Sequence, residues 1–452
     1  MTVDILFRNS TSSDHISIFE PIRDKFVHPK SPPDSSKFSK PAAEKAPTKK
    51  RKTTKGAVPH PSPNDARFDN EGEQDKTPGP LRSVYIPSDT SSMSSASSRS
   101  SASSPRKQLV AMALSSHGLE TRAMSDPSGL PLSLASMRTK LLQFSRGRGI
   151  LGENGLDSIQ DETAARALHP DMVAIYEDKN FCCSRRREEL GITPSPDDVV
   201  YILESAGDCL RKGRSEVAWN HEVHFPLLCL ALRNRSKGAL QRLINVTSCS
   251  SASVIPDYRI RFAPDQKIDF CVYLDPHHDP NEKNISSTVD TVRARLPGLS
   301  INPTNDLSLL SKPIAIPIET KRPSEGLDTA NLQVATFLTA HLTLLQRLVD
   351  AGASAPVDDG EKTPSVDDLG FLPGLIVQGN TWNFIAASRQ DPRTVIWSEA
   401  SLDSTGDIFG IYQIVASLQL LHQWINTTYW PWLRRVTQRA ATAIQLRDDP
   451  AG

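Results

Sequence analysis

The chain has 452 residues, and its 52 Lys and Arg residues balance its 52 Asp and Glu residues. No apolar stretch is long enough to span a membrane, and the N-terminus lacks the apolar core of a signal peptide. The composition thus argues against a membrane-spanning or secreted protein, and we expect a soluble intracellular one. The length alone allows two or three domains, and the composition argues for fewer.

The cysteine pattern argues against a zinc ribbon, because no two cysteines form a Cys-x-x-Cys pair. Several cysteines lie in apolar runs and are expected to be buried thiols in a reducing compartment. The six are Cys182, Cys183, Cys209, Cys229, Cys249 and Cys271.

Residues 1–105 are rich in Ser, Pro, Lys and Asp and poor in aromatic residues. Such a segment cannot bury enough apolar surface to offset its chain entropy, so we predict a disordered tail. A basic cluster within it, Lys49, Lys50, Arg51 and Lys52, resembles a signal recognised by a nuclear import receptor. The alternatives are a solvated basic tail or a nonspecific phosphate-binding arm. The cluster favours a nuclear location over a cytoplasmic one.

Residues 106–155 are predicted to be a linker or docking segment that precedes a folded domain over residues 156–442. Within this segment, the apolar spacing between Leu130 and Phe144 is compatible with one helix. The glycines of residues 146–149 would end that helix.

The folded region alternates between helical and strand-like patterns. Helical spacing of apolar residues predicts helices over 196–212, 215–232, 327–349 and 409–424. Short apolar runs predict strands over 266–274, 314–321, 375–378, 382–387 and 394–397. Residues 275–311 are predicted to be a turn-like insertion. Residues 427–432 are predicted to break the helix over 409–424 and to start a last short helix. The pattern predicts an α/β fold in which helices flank a mixed sheet.

The strongest chemical pattern lies at the end of the strand that begins at Ile314, where Glu319 and Lys321 follow an apolar run. Side chains alternate across a strand, so these two residues point to the same face. The strand predicted over 266–274 contains Asp269, a carboxylate that is costly to bury without a cation or hydrogen-bond partner. Two neighbouring strands with these residues predict a Mg²⁺ site beside a lysine.

The predicted Mg²⁺ ligands are Asp269, Glu319 and the backbone carbonyl of Thr320, because Mg²⁺ takes oxygen ligands and usually only one or two carboxylates. The ion would polarise a scissile phosphate and lower the pKa of the attacking water. Lys321 would orient that water or stabilise charge developing on phosphorus. These groups suit phosphodiester hydrolysis. The alternative is a salt bridge between Glu319 and Lys321 at the rim of the sheet.

Two further residues fit the order of the elements: Glu216 lies on a helix before the Asp269 strand, and Gln333 on the helix after the Glu319 strand. This arrangement resembles the PD-(D/E)xK nuclease superfamily. Over roughly residues 130–440 the chain is similar to a fungal family of PD-(D/E)xK nuclease-like proteins. The similar motifs are Glu216-x-x-Trp219-Asn220, Ile268-Asp269-Phe270-Cys271, Pro313-Ile314-Ala315-Ile316-x-Ile318-Glu319-Thr320-Lys321, Leu372-Pro373-Gly374, Gly410-Ile411-Tyr412-Gln413-Ile414 and Tyr429-Trp430-Pro431-Trp432.

The resemblance implies a restriction-endonuclease-like fold and a set of site residues. Asp269, Glu319 and Lys321 match the core motif and are expected to be catalytic. Glu216 matches a helix carboxylate that often completes the metal shell. Gln333 matches a position that orients the site or contacts DNA in several branches, and is counted among the catalytic residues. The Pro-Asp pair that names the superfamily is absent.

Four histidines are candidate zinc ligands: His221 and His224 on one predicted helix, and His277 and His278 in a loop. Helical histidine pairs can bind zinc. No Cys or Glu ligand accompanies them, so we expect surface or capping histidines instead.

Other aromatic and basic residues have structural alternatives to a role in binding. The aromatic cluster Tyr429, Trp430 and Trp432 is expected to lock a terminal helix, with base stacking as the alternative. The arginines that follow are expected to form a solvated helix face, with phosphate contact as the alternative; they are Arg434, Arg435 and Arg439. Residues expected in the core or at its rim are Trp219, Asn220, Gln378, Trp382, Tyr412 and Gln413.

Together these patterns predict a nuclear nuclease-like protein that acts on DNA with Mg²⁺, or with Mn²⁺ in its place. The alternative is a catalytically inactive nucleic-acid-binding or scaffold protein on the same fold, in which the charged residues form a network at the rim. The zero net charge favours this alternative, because DNA-processing domains often carry a basic face.

Overall fold

The computed structural model of the protein describes residues 104–114, 118–157, 159–233, 241–261, 263, 266–357 and 362–448. The predicted tail, apart from its last two residues, and the basic cluster of residues 49–52 lie outside the described residues. In the described ranges, no helix is long and apolar enough to cross a membrane. All six cysteines are free thiols.

Seven strands form one mixed sheet, which confirms the predicted α/β fold. They are β1 Leu119–Ala123, β2 Ile244–Ser248, β3 Phe270–Leu274, β4 Ile314–Lys321, β5 Leu372–Gln378, β6 Thr381–Gln390 and β7 Arg393–Ser404. Their order across the sheet is β1-β7-β6-β5-β4-β3-β2. The pairs β1–β7 and β4–β5 are parallel, and the other pairs are antiparallel.

Twelve α-helices are found in the described part of the chain. They are α1 Pro105–Ala113, α2 Leu132–Phe144, α3 Glu162–Leu168, α4 Met172–Glu177, α5 Lys179–Cys182, α6 Pro196–Arg211, α7 Glu216–Trp219, α8 Phe225–Leu232, α9 Ile285–Arg293, α10 Leu327–Ala351, α11 Ile408–Trp424 and α12 Trp430–Asp448. Every residue of β4 from Ile314 to Thr320 is buried. Helices therefore cover both faces of the sheet at its centre.

Capping residues explain where two of the main helices begin. Ser195 caps α6 and Asp407 caps α11, each side chain accepting a hydrogen bond from a backbone amide three residues further on. The helix predicted over 327–349 is α10, which ends at Ala351 and is capped by Gly352. The predicted helices 196–212 and 409–424 are confirmed as α6 and α11.

Two π-helical turns join pairs of helices into continuous rods. Asn220–His224 joins α7 to α8, and Ile425–Tyr429 joins α11 to α12. Each π turn is followed closely by a proline, Pro226 or Pro431. A proline inside a helix cannot donate a backbone hydrogen bond and its ring crowds the preceding turn, so the wider π turn makes room for it.

Three predictions of local structure are wrong. The helix does not break at 427–432. The π turn continues it past the proline, and α12 then runs for 19 residues. The insertion 275–311 is not only turns, because it contains α9, whose buried residues repeat at helical spacing and pack on α12. The strand predicted over 266–274 begins at Phe270, so Asp269 precedes β3 instead of lying within it.

The segment 106–155 contributes elements of its own to the fold. β1 pairs in parallel with β7 at one edge of the sheet, with Leu119 opposite Thr394. Helix α2 buries Leu134, Met137 and Leu141, which repeat at helical spacing.

Candidate active site

The C-terminal end of β4 and the N-terminal end of β3 lie side by side, at the same end of these two neighbouring strands. The two strands are antiparallel with Phe270 opposite Ile318, so the residue before β3 lies beside the last residues of β4. The amide of Asp269 donates a hydrogen bond to the carbonyl of Ile318 at 3.1 Å. Asp269 and Glu319, which are far apart in the sequence, therefore reach the same edge.

Thr320 fixes one carboxylate oxygen of Asp269. Oδ2 of Asp269 accepts hydrogen bonds from the Thr320 amide at 2.9 Å and from the Thr320 hydroxyl at 2.8 Å. These bonds turn the Asp269 side chain toward β4 and account for the bend that precedes β3. The sequence pointed to the Thr320 carbonyl as a ligand but not to its hydroxyl. The sequence feature that could have indicated the hydroxyl's role is a polar β-branched residue, Thr320, between Glu319 and Lys321.

Glu319 is the buried acid of the cluster, with 1% of its surface exposed. Burial raises the pKa of Glu319 to about 8, the negative charge of Asp269 adds to the rise, and Lys321 opposes it. Oε1 accepts a hydrogen bond from Nζ of Lys321. Oε2 is buried and has no hydrogen-bond partner among the described residues. Such an oxygen is costly to bury, and a cation or a proton would relieve that cost.

Lys321 lies among three oxygen-bearing groups. Its Nζ donates to Oε1 of Glu319 and to the Thr320 carbonyl at 2.8 Å, and lies 3.9 Å from Oε2 of Glu216. Glu216 is the first residue of α7, which Ser215 caps. Burial raises the pKa of Glu216, whereas the charge of Lys321 lowers it. The structure thus brings a helix acid to the two charged residues of β4.

The oxygens around the Lys321 ammonium are of the kind that Mg²⁺ and Mn²⁺ bind. Among the described residues, no group of three or more His, Cys, Asp or Glu side chains is arranged to hold a metal ion. Mg²⁺ needs only one or two protein carboxylates, with carbonyls, water or substrate as its other ligands. The donor chemistry of Asp269, Glu319 and the Thr320 carbonyl fits that requirement. The partnerless Oε2 of Glu319 is the atom that favours an ion there.

Gln333 lies on α10 and bonds to the segment that leads to Asp269. Its Nε2 donates to the carbonyl of Lys267 at 3.0 Å. Its Oε1 is buried and has no hydrogen-bond partner in the part of the chain that the structure describes. Gln333 therefore stabilises the backbone segment that leads to Asp269.

The four histidines do not form a site. His221, His277 and His278 are exposed, and His224 is fully buried in the π turn between α7 and α8. The expectation of a surface or capping residue is thus wrong for His224. The wider π turn directs this side chain into the core, which apolar periodicity does not reveal.

The aromatic cluster at the end of the chain anchors α12, as expected. All three side chains are buried, and each donates a hydrogen bond within the protein. Tyr429 donates to the Ile314 carbonyl at 3.0 Å, Trp430 to Asp279 at 2.8 Å and Trp432 to the Ser365 carbonyl at 2.9 Å. These rings are not free to stack on bases.

Two of the three arginines on α12 are bound to the protein instead of forming a solvated face. Arg434 donates to the buried carboxylate of Asp279 at 3.1 Å. Arg439 donates to the carbonyls of Ala355 and Pro356, just beyond α10, at 3.0 Å each. Arg435 is exposed. The phosphate-contacting stripe that the sequence left open would therefore reduce to Arg435.

A cavity of about 820 Å³ lies at the opposite end of the sheet from this cluster. Its walls include Ile244 and Gln419. Ile244 is paired with Leu274, the last residue of β3, whereas Asp269 precedes the first. The acidic cluster and this cavity are therefore separate sites.

A mixed sheet flanked by helices, with acids and a lysine meeting at the end of its central strand, defines a restriction-endonuclease-like α/β protein. The model of the PD-(D/E)XK nuclease superfamily matches residues 166–430, more than half of the chain, and the chain belongs to this superfamily. Nucleases of the superfamily generally use divalent metals. No curated protein and no solved structure matches the chain. The matched range includes Glu216, Asp269, Glu319, Lys321 and Gln333.

Proposed function

We propose that the protein is a Mg²⁺-dependent nuclease that hydrolyses phosphodiester bonds in DNA, with Mn²⁺ able to replace Mg²⁺. The observation that supports this most is the meeting of Glu216, Asp269, Glu319 and Lys321 at one edge of the sheet. They come from α7, from the residue before β3 and from β4. A structural salt bridge would need only one acid, whereas Glu216 and Glu319 both lie beside Lys321. Asp269 is bound to Thr320, which lies between Glu319 and Lys321 on β4.

A divalent ion at this edge would polarise the scissile phosphate and lower the pKa of the attacking water. Asp269 and Glu319 would hold the ion through their carboxylates. Glu216 and the Thr320 carbonyl would supply further oxygens or orient water. The two hydrogen bonds from Thr320 hold Asp269 in place in advance, so less reorganisation is needed when a ligand binds.

Lys321 supplies positive charge next to the acids. Its ammonium can orient the attacking water or stabilise negative charge on the phosphate oxygens. The stem of Lys321 passes so close to Gly326 that a Cβ there would lie 2.7 Å from Cδ of the lysine. The connection from β4 to α10 therefore helps to hold the lysine in the site.

The proposal of DNA as substrate rests on the basic cluster of residues 49–52, because nuclear import would place the protein beside DNA. RNA is the competing substrate class, since both backbones present the same phosphodiester. Cleavage of duplex DNA, single-stranded DNA and RNA compared side by side distinguishes them.

The test is cleavage by the purified full chain with Mg²⁺, with Mn²⁺ and with EDTA. Asp269→Asn and Lys321→Ala should each lower the rate by at least about 100-fold, the scale expected when a charge-stabilising group is lost. Asp290→Asn is the matched control, because Asp290 is an exposed acid on α9 whose carboxylate accepts from Arg293 of the same helix, away from the site. Equal cleavage by the wild type and both site variants would remove these residues from the mechanism.

One observation favours a second function, that of a catalytically inactive nucleic-acid-binding or scaffold protein. The ammonium of Lys321 already lies among the oxygens of Glu319, Thr320 and Glu216, as in a permanent ion-pair network. This alternative predicts a folded wild-type protein that binds DNA but cleaves nothing with either ion.

We further propose that an import receptor recognises Lys49, Lys50, Arg51 and Lys52 and directs the protein to the nucleus. A fluorescent fusion in which these four residues are alanine should lose its nuclear accumulation. Replacing three other lysines of the same tail should leave the accumulation unchanged; these are Lys37, Lys40 and Lys45. Accumulation that survives the first set of substitutions would contradict the proposal.

A further inference from the structure

His224 is fully buried and bonds to two different parts of the protein. Its Nε2 lies 2.9 Å from the carbonyl oxygen of Gly379, and its Nδ1 lies 2.8 Å from Oδ1 of Asn220. Trp219 stacks on the imidazole at a centroid distance of 5.7 Å, and Trp382 meets it edge-on at 5.8 Å. The ring is therefore fixed in both position and orientation.

The direction of these hydrogen bonds follows from the charge of the ring. Burial lowers the pKa of His224 to about 4, so the imidazole is neutral near pH 7 and carries one N–H. A carbonyl oxygen can only accept, so Nε2 carries the hydrogen and donates to Gly379. Nδ1 is then an acceptor. The side-chain amide of Asn220, whose Oδ1 is the atom nearest to Nδ1, is therefore assigned the flipped orientation that presents its NH₂ to the ring.

Gly379 connects His224 to the strand that carries the site. Its amide donates to the carbonyl of Lys321 at 2.8 Å, while its own carbonyl accepts from His224. Its φ of +54° suits glycine, and a Cβ at this position would lie 2.4 Å from Cγ of Pro323. Gly379 is thus held between His224 on one side and β4 on the other.

The same helical rod carries Glu216 and His224, with the π turn between α7 and α8 ending at the histidine. A π turn inserts one extra residue and so rotates the residues that follow it relative to those before it. This lets Glu216 face the charged cluster while His224 faces the turn between β5 and β6. The rod therefore contacts the β4 edge at two points, through Glu216 near Lys321 and through His224 at Gly379.

We propose that His224 is a positioning residue of the active site, which acts through the Gly379 peptide to hold Lys321 on β4 against Glu216 on α7. The 3.9 Å separation between Oε2 of Glu216 and Nζ of Lys321 depends on the spacing between this rod and β4. The His224–Gly379 hydrogen bond is a buried tie between the two. The effect of this hydrogen bond on catalysis rests on the proposed nuclease function, whereas the hydrogen bond itself does not.

Two variants and a matched control separate this role from general stability. His224→Phe keeps an aromatic ring between the tryptophans but removes the donor, and His224→Gln offers an N–H close to the position of Nε2. His341→Phe is the control, because His341 is also fully buried and bonds through Nε2 to the Tyr429 hydroxyl at 3.0 Å. Tyr429 in turn bonds to Ile314, at the opposite end of β4 from the site.

The first measurement is hydrogen exchange of the Gly379 amide in the metal-free full chain, relative to amides in the middle of β6. His224→Phe should speed this exchange at least about tenfold, which corresponds to a tenfold greater population of the open turn. His224→Gln should exchange near the wild-type rate, and so should His341→Phe at this amide. The second measurement is Mn²⁺ affinity by calorimetry, which should fall about tenfold in His224→Phe alone, as expected when a residue that orients ligands is lost.

Each outcome decides something. Wild-type exchange at Gly379 in His224→Phe overturns the proposal, and so does an equal loss of Mn²⁺ affinity in His341→Phe. A wild-type protein that binds no Mn²⁺ counts against the proposed function, and the exchange experiment then decides on His224 by itself. If His224→Phe does not fold, His224→Asn replaces it, because an asparagine is too short to reach the Gly379 carbonyl.

Discussion

Glu319 and Lys321 are neighbours on one face of β4, but they differ in how far they are buried. Glu319 is almost completely buried, whereas 15% of the Lys321 side chain is exposed. Bulk water therefore does not solvate the carboxylate of Glu319, and one of its oxygens lacks a hydrogen-bond partner among the described residues. The lysine neutralises part of this charge, and a divalent ion would neutralise more of it.

The first prediction concerns the pH dependence of stability. Burial raises the pKa of Glu319 to about 8 from a model-peptide value of 4.5, so the folded protein binds this proton more tightly than the unfolded chain does. The stabilisation is complete below about pH 4.5 and is lost as the pH rises toward about 8. In EDTA, Glu319→Gln should therefore flatten the fall in the free energy of unfolding across this window, by on the order of a few kcal/mol.

Urea denaturation at several pH values measures this effect, with Asp290→Asn as the control for the loss of an acid elsewhere. Saturating Mg²⁺ should flatten the wild-type curve as well, because a bound cation keeps the carboxylate ionised at no cost. Parallel curves for the wild type and Glu319→Gln would contradict the assigned environment of this acid.

The second prediction concerns the hydroxyl of Thr320. Thr320→Val keeps the shape of the side chain and the amide bond to Asp269 but removes the 2.8 Å hydroxyl bond. Mn²⁺ affinity and cleavage should each fall about tenfold, as expected when a group that orients a metal ligand is lost. Thr320→Ser keeps the hydroxyl and should retain most of both. Equal behaviour of the two variants would show that the hydroxyl does not position Asp269.

At the scale of elements, the connection between β4 and α10 holds the lysine in place. Gly326 has a φ of +69°, and a Cβ there would lie 2.7 Å from Cδ of Lys321. The glycine therefore serves two needs, a left-handed backbone and space for the lysine stem. Gly213, between α6 and α7, has a φ of +54° but no atom within 4 Å of its would-be Cβ.

These two glycines make a matched pair for the third prediction. Gly326→Ala and Gly213→Ala should lose similar free energies of unfolding, about 1–2 kcal/mol each, because both force alanine into the left-handed region. Only Gly326→Ala should also lower kcat/KM, because it displaces the lysine. Thermal or urea unfolding and steady-state cleavage measure the two effects. Equal activity of the two variants would mean that the lysine stem can move aside without harm.

Local elements of the fold could be predicted from the sequence where one helix or strand has a strong period of its own. Strand β4 and helices α6, α10 and α11 were found in this way. β1 was missed, because its five residues, Leu119–Ala123, include three polar ones and gain their place by pairing with β7. α9 was missed, because a polar stretch hid three buried residues at helical spacing.

The site was predictable only in part, for a related reason. The Glu319 and Lys321 pair follows from strand alternation, and Asp269 from a carboxylate in a neighbouring apolar run. Glu216 follows only from the order of the elements and the resemblance to a family. The bonds that hold them are long-range: Thr320 to Asp269, and His224 to Gly379. No local sequence pattern predicts such bonds, because each partner taken alone is an ordinary polar residue or a glycine.

At the scale of the whole molecule, the sheet extends beyond the residues that the superfamily model matches. The superfamily match begins at residue 166, whereas β1 and α2 precede it and lie against β7. Without β1, the long strand β7 would become an exposed edge with unpaired backbone groups, which favours association between chains. The preceding segment therefore completes the sheet of this particular protein.

The fourth prediction tests that role by truncation. A chain that starts at Leu130 lacks α1 and β1 and should unfold at a lower temperature and aggregate more readily than the full chain. A chain that starts at Ser104 keeps both elements and should melt like the full chain. Melting curves and light scattering measure the difference. Identical behaviour of the two truncated chains would show that β1 adds nothing to the sheet.

In the proposed site, Asp269 and Glu319 hold one divalent ion, and Glu216 supplies a further oxygen or orients water. A crystal of the full chain grown or soaked with Mn²⁺ tests this arrangement directly through the anomalous signal of the metal. We expect a peak about 2.1 Å from carboxylate oxygens of both Asp269 and Glu319, with the Lys321 ammonium moved off the Glu319 oxygen. A fully folded crystal without a peak there, at millimolar Mn²⁺, would contradict this arrangement.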